Sequence, residues 1–199
     1  SGKHRLSERV MLEAEIIRGG AVIRRQIARN DAMLNKAALA RIMDLELRVN
    51  GEYVTTYKAD GLILSTPTGS TAYSLSAGGP IVEPTLASIV VTPVAAHALA
   101  IRPFILSPDA VIEMQPDDAP EEILVTVDGQ VGTTLLHGHS LTVRRSAQPV
   151  YIVRIDGASF FGRLRAKMGL SPEAKPHWKQ YRQLAPHGEW VELAKEFSE

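Results

Sequence analysis

Between residues 9 and 18 (RVMLEAEIIR) apolar side chains fall on alternate positions, Val10, Leu12, Ala14 and Ile16, the period of a strand with one buried face. Gly19-Gly20 and then AVIRRQIA follow, which predicts a hairpin closed by two glycines. A second hairpin is clearer. Leu45, Leu47 and Val49 alternate with Glu46 and Arg48, Asn50-Gly51 supplies the positive φ angles of a tight turn, and Tyr53-Val54-Thr55-Thr56-Tyr57 returns in strand-favouring residues. Residues 61–65 (GLILS) form a short apolar strand, after which Pro67 and Gly69 break the pattern. Thr68 or Ser70 is placed to cap a helix running to about Ala77, and Gly78-Gly79-Pro80 to stop it. Strands are expected again over residues 89–92, 110–114, 123–128, 140–145 and 150–155, separated by Pro- and Gly-rich clusters. Only after Ser159 does the spacing of Phe160, Phe161, Leu164, Met168 and Leu170 become helical. The remainder, 171–199, is polar and interrupted by prolines, with an amphipathic helix expected over 189–197. Many short strands with turn signals between them predict a mainly β protein, an antiparallel β-sandwich with a few short helices.

Composition narrows the function. Of 199 residues, 22 are Lys or Arg and 22 are Asp or Glu, a formal net charge of zero. A nucleic-acid binder needs a basic excess for its phosphate contacts, so that class is disfavoured. The chain has no cysteine, which excludes disulfides, thiol chemistry and thiolate zinc sites. Residues 86–106 are the most apolar stretch, but they carry Pro93, His97, Arg102 and Pro103, unlike a membrane span. No signal-peptide pattern opens the chain, so a soluble, cytoplasmic protein is expected.

The densest polar cluster is Ser65-Thr66-Pro67-Thr68-Gly69-Ser70-Thr71, where five hydroxyls surround one proline and one glycine. At a strand-to-helix transition, amides and hydroxyls can converge on phosphate, ribose or carboxylate oxygens. The spacing and lysine of a Walker loop are missing. A well-capped helix behind a turn accounts for the same residues without a ligand. Asp60, before Gly61, and Asn30-Asp31 are each either acceptors or turn formers. The six histidines show no ligand spacing with carboxylates, and no serine sits in a nucleophile elbow.

Residues 60–81, DGLILSTPTGSTAYSLSAGGPI, closely resemble the signature of bacterial NAD kinases. Asn30-Asp31 resembles the family's Asn-Glu/Asp pair. Residues 92–103 (TPVAAHALAIRP) are similar to its T-P-x-x-x-H-x-L-x-x-R-P segment, and Asp128-Gly129-Gln130 to a late D-G-Q element. Phe160-Phe161 with Leu164, Lys167, Met168, Gly169 and Leu170 resembles the terminal helix. The resemblance covers about residues 8–170. It implies a dinucleotide-binding β-sandwich over 1–170, the C-terminal domain of the family's fold, followed by an extension over 171–199. Relatives also carry an N-terminal α/β domain whose Gly-Gly-Asp-Gly-Thr motif holds the general-base aspartate. That motif does not occur in these residues, so the chain alone is expected to be inactive, with no catalytic residue and no metal ligand of its own.

The resemblance implies transfer of a phosphoryl group from ATP, or polyphosphate, to the 2′-hydroxyl of the adenosine ribose of NAD, giving NADP with Mg2+ as the divalent cation. By position, Asn30 and Asp31 hold the adenosine, and Asp60 accepts from an amide or amino group. Thr71, Ala72, Tyr73, Ser74, Leu75 and Ser76 form a wall with Tyr73 against a base. Arg41 and Lys58 lie near the pyrophosphate, and Gln130 adds a polar contact. His97 approaches from a neighbouring subunit, consistent with the homodimers or homotetramers of relatives. On this reading the bend over residues 65–76 faces a cleft shared with Asn30, Asp60 and Tyr73. The alternative is a non-catalytic dinucleotide-binding or oligomerisation module.

Overall fold

The computed structural model describes residues 5–36, 43–96, 101–117, 123–154 and 159–168. The expected contributions of Arg41, of His97 and of the extension over 171–199, with its helix over 189–197, lie outside the described residues. By contact density the chain divides into a unit of residues 6–152 and a unit of residues 1–5 with 153–199.

The larger unit is an antiparallel β-sandwich, as the alternation predicts. One six-stranded sheet contains β2 (Leu12–Arg18), β3 (Ala21–Ala28), β5 (Met43–Val49), β6 (Glu52–Ala59), β10 (Ile112–Asp117) and β13 (His139–Arg145), in the order β3-β2-β13-β10-β5-β6. The other contains β4 (Asp31–Lys36), β7 (Gly61–Ser65), β8 (Ile89–Val94), β9 (Phe104–Leu106), β11 (Ile123–Val127) and β12 (Gln130–Leu135), in the order β12-β11-β4-β7-β8-β9. The strands β1 (Arg5–Arg9) and β14 (Val150–Arg154) pair as a separate two-stranded ribbon.

Period-2 alternation builds the core. Leu12, Ala14 and Ile16 from β2 join Leu45, Leu47, Leu141 and Val143 on one side. Ala32 and Leu34 from β4 join Leu62, Leu64, Val91 and Val125 on the other, and all are buried. The two expected hairpins form, with positive φ at Gly19, Gly20, Asn50 and Gly51, the geometry a two-residue turn requires.

Three expectations need correction. The strand over 9–18 is broken, because β1 ends at Arg9 and β2 starts only at Leu12. The helix expected from Thr68 or Ser70 to Ala77 is instead a 3-10 turn (Gly69–Thr71) and a single α turn, α1 (Tyr73–Ser76), separated by Ala72 at φ −98°, ψ −130°. Neither Thr68 nor Ser70 caps it. The Thr66 hydroxyl accepts from the Gly69 N–H (3.0 Å), and Ser70 Oγ donates to the Pro67 carbonyl (2.7 Å). Strands β4, β9 and β12 were not anticipated. In β4, residues 31–34 are all buried, so no alternation marks them.

In the smaller unit, α2 (Phe160–Lys167) forms where helical spacing begins. Ser159 Oγ caps it by accepting from the Gly162 N–H (3.0 Å).

Candidate functional site

Residues 66–88 fold back over the outer face of the β4-β7-β8 sheet. Ser74 and Thr92 hydroxyls bond each other at 2.9 Å, both fully buried. Ser70 Oγ accepts from the Val82 N–H (3.0 Å). At Gly79 a side chain would collide with Ser74 and Thr92, so the close approach needs glycine. The hydroxyls of Thr66, Ser70 and Ser74 are therefore used inside the fold, and these three residues and Ser65 are all fully buried. The expected hydroxyl-lined ligand wall is not what these four side chains form.

A cleft of about 440 Å3 nevertheless opens beside this segment, lined by Asn30, Asp31, Met33, Asn35, Ala72, Tyr73, Thr126, Asp128 and Gly129. Strand geometry explains its floor. Ala32 and Leu34 face the core, so Asp31, Met33 and Asn35 project from the opposite face of β4. Thr126 of β11 is the ladder partner of Met33 and stands beside it. Tyr73, about half exposed, and Ala72 form one wall.

The turn between β3 and β4 is held from two sides. On one, the Thr66 N–H donates to the Asn30 carbonyl (2.8 Å) and the Thr66 hydroxyl to the Arg29 carbonyl (2.7 Å). Gly69 packs so tightly there that any side chain would collide with the Asn30 backbone. On the other side, the Asp128 carboxylate accepts from three consecutive amides: Arg29 (2.8 Å), Asn30 (2.7 Å) and Asp31 (3.1 Å). Asp128 does this at φ +51°, in the left-handed region that an Asp-Gly turn tolerates. Its own N–H donates to the Asp31 carbonyl (2.9 Å). Asp128→Ala is expected to destabilise the chain by roughly 2 kcal/mol, since it unties three amides at once. A denaturant titration measures this, and an unchanged midpoint refutes it.

Two carboxylates thus meet at one cleft. Burial, reinforced by the neighbouring Asp128 carboxylate, pushes the Asp31 carboxyl up to about 6. Among the described residues, no hydrogen bond engages the side chains of Asn30, Asp31 or Asn35, so an acid and two amides face the cleft unpartnered. An ionised Asp31 accepts only, whereas each amide both donates and accepts, a set that matches sugar hydroxyls and a purine edge. Among the described residues, no group of three or more His, Asp or Glu side chains could hold a metal ion.

Of the residues expected from sequence, the fold brings Asn30, Asp31, Ala72 and Tyr73 together at this cleft. Thr71 and Leu75 are partly exposed beside them, Ser76 is exposed, and Ser74 is committed to Thr92. Gln130 is exposed and follows directly on the lining Gly129. Asp60 does not line the cleft. It turns the chain between β6 and β7, and its carboxylate pairs with Lys36 at 2.7 Å. Lys58 lies in the other sheet and pairs with Asp44 at 2.7 Å. Sequence reasoning passed over Asp128, Asn35 and Thr126. Asp128 lay within the noted Asp-Gly-Gln element, while Asn35 and Thr126 carry no local signal and are placed by strand register.

The family described as the ATP-NAD kinase C-terminal domain matches residues 29–155. An NAD kinase of Gemmatimonas aurantiaca is 55% identical over 162 residues, covering 81% of this chain and 56% of that protein. An NAD kinase of Geotalea daltonii is 46% identical over 167 residues, covering 84% of this chain and 59% of that protein. Among solved structures, yeast NADH kinase complexed with NADH superposes with a TM-score of 0.70 at 33% identity, over 74% of this chain and 44% of that one. An NAD kinase from Archaeoglobus fulgidus in complex with ATP gives a TM-score of 0.65 at 27% identity, over 81% and 59%. The chain spans a little over half the length of the curated relatives it matches.

Proposed function

Since the chain belongs to the NAD kinase family through its C-terminal domain, we propose that its cleft binds the adenosine half of NAD and presents the ribose 2′-hydroxyl for phosphorylation to NADP. The observation that supports this most is the unpartnered Asp31 carboxyl beside Asn30, on a turn that Asp128 and Thr66 fix from both sides. An ionised Asp31 accepts from a ribose hydroxyl, Asn30 contacts the sugar or base, and the Tyr73 ring stacks on adenine. A cleft of about 440 Å3 suits one nucleoside, so the rest of the dinucleotide extends beyond it.

Phosphoryl transfer needs an in-line hydroxyl, a group to take its proton and compensation of phosphate charge. This chain's part is to orient the hydroxyl. The general base is assigned to an aspartate of the Gly-Gly-Asp-Gly-Thr motif outside these residues, so the chain alone binds without phosphorylating. The donor is ATP, or polyphosphate. The described residues do not fit a metal cage, so Mg2+ is assigned to the phosphates and not to side chains described here.

Of the remaining expected contacts, Arg41 and Lys58 are assigned to the pyrophosphate, Asp60 to an amide or amino group, Gln130 to a further polar contact, and Thr71, Leu75 and Ser76 to the wall beside Tyr73, which Ser74 joins only on leaving Thr92. Lys58 and Asp60 would first have to leave the ion pairs they make. We assign residues 1–170 to the dinucleotide-binding domain and 171–199 to an extension, and the setting to the cytoplasm. Among the described residues, no helix is long and apolar enough to cross a membrane. A homodimer or homotetramer fits the outer strand β3, where Val22, Ile23 and Ile27 are about half exposed on a sheet edge.

Tyr73→Ala tests the binding mode. The side chain is about half exposed, so the melting temperature should barely change. Loss of one base-stacking surface should weaken NAD binding about tenfold by calorimetry. Unchanged affinity would remove the adenine from this wall.

A further inference from the structure

Ser65 ends β7 directly opposite Asp31 in the antiparallel ladder of β4 and β7. Opposed residues share a face, with Cβ atoms about 4.5–5.5 Å apart, so the two side chains stand next to each other on the cleft side of the sheet. Ser65 is fully buried, and its hydroxyl meets no hydrogen-bond partner among the described residues. Its neighbours in the polar run differ. Thr66 bonds the Arg29 carbonyl, Ser70 the Pro67 carbonyl, and Ser74 the Thr92 hydroxyl. An unsatisfied buried hydroxyl is destabilising, so for folding alone alanine would serve better here.

We propose that Ser65 is a positioning residue for Asp31, its hydroxyl donating to the carboxylate when a ribose occupies the cleft. This rests on the reading that Asp31 accepts from the ribose. A carboxylate has about four acceptor sites. Sugar hydroxyls approach from the open side, which leaves a lone pair for Ser65 on the neighbouring strand. The bond is needed because a bound nucleoside expels water from an acid that burial already disfavours as a charge. The titratable groups on elements around Asp31 are Asp128, on the turn between β11 and β12, and Tyr73, on α1. The first repels a charged Asp31. The second lines the wall of the cleft. Ser65 is thus the donor on the strand position directly opposite Asp31.

The test is calorimetric titration of NAD into the 199-residue chain and its Ser65→Ala and Asp31→Asn variants between pH 5 and 8, with melting temperatures alongside. Ser65→Ala should melt at or above the parent temperature, bind about tenfold more weakly at pH 7, and need a higher pH for half-maximal affinity. Parent-like affinity with the same pH midpoint overturns the inference, as does weaker binding matched by a lower melting temperature with the midpoint unmoved. If the parent binds and Asp31→Asn does not, while Ser65→Ala behaves as the parent, only the role of Ser65 falls. If the parent itself shows no NAD binding, the binding-site reading falls with it.

Discussion

Asp31→Asn should make the chain more stable at neutral pH and nearly abolish its affinity for NAD. Both effects come from one carboxyl, pushed from an ordinary 3.8 up to about 6 by burial and by the nearby Asp128 carboxylate. Its acid is held more tightly in the folded chain than in the unfolded one. The folded state is therefore favoured most below about pH 4, where the group is protonated in both states. That advantage is lost as pH rises through about 6. A displacement of about two pH units corresponds to a ceiling of roughly 3 kcal/mol. An asparagine still buries a polar group, so about 1–2 kcal/mol of stabilisation is expected at pH 7 and little at pH 4. Thermal melts at the two pH values measure it. A variant less stable than the parent at pH 7 would show that Asp31 is compensated in a way its surroundings do not suggest. Losing the charged acceptor should weaken NAD binding about 100-fold. The parent should bind more tightly as pH rises through about 6, since only the ionised acid accepts two ribose hydroxyls.

Gly69→Ala should be the most damaging small change in the turn. A Cβ at position 69 would run into the Asn30 carbonyl and lie 2.7 Å from its Cα. Neither backbone can retreat easily. The Thr66 N–H holds the Asn30 carbonyl, and Asp128 holds the Arg29, Asn30 and Asp31 amides. Relief requires lifting residues 66–71 off the sheet, at about 3 kcal/mol. For a chain of this size that lowers the melting temperature by roughly 6–12 °C. Because residues 66–71 brace the turn that carries Asn30 and Asp31, NAD affinity should fall as well. A variant that melts within about 2 °C of the parent would mean the turn has slack that its packing hides.

How far the sequence could be read depended on how local the cause was. The hairpins at Gly19-Gly20 and Asn50-Gly51 were legible because the turn residues themselves demand positive φ. Strand β4 was not, because its outer face is covered by the 66–88 segment and the cleft walls. Asp31, Ala32, Met33 and Leu34 are then all buried, and the alternation disappears. Strand β12 was obscured by Gly132, where a side chain would collide with the Val125 carbonyl beside an irregular register.

The polar run misled for a related reason. Hydroxyls next to a glycine look like a helix cap or a ligand loop. Here Thr66 and Ser70 serve carbonyls and amides of residues 29 and 82, contacts that no local pattern reveals. Asn30, Asp31, Ala72 and Tyr73 were named from the family's motifs, and the fold gathers them at one cleft. Asp128 was overlooked in favour of Gln130, although an Asp-Gly after a strand marks a turn whose carboxylate needs donors. Asn35 and Thr126 follow from Asp31 and Met33 only once β4 and β11 are known to pair.

A crystal structure of the chain grown with NAD tests the central claim most directly. The account predicts an adenosine ribose hydroxyl within about 2.6–3.0 Å of an Asp31 carboxylate oxygen, adenine against the Tyr73 ring, and the turn at residues 29–31 unmoved on Asp128. A dinucleotide bound elsewhere on the sandwich, or seated here with its ribose turned away from Asp31, would contradict it.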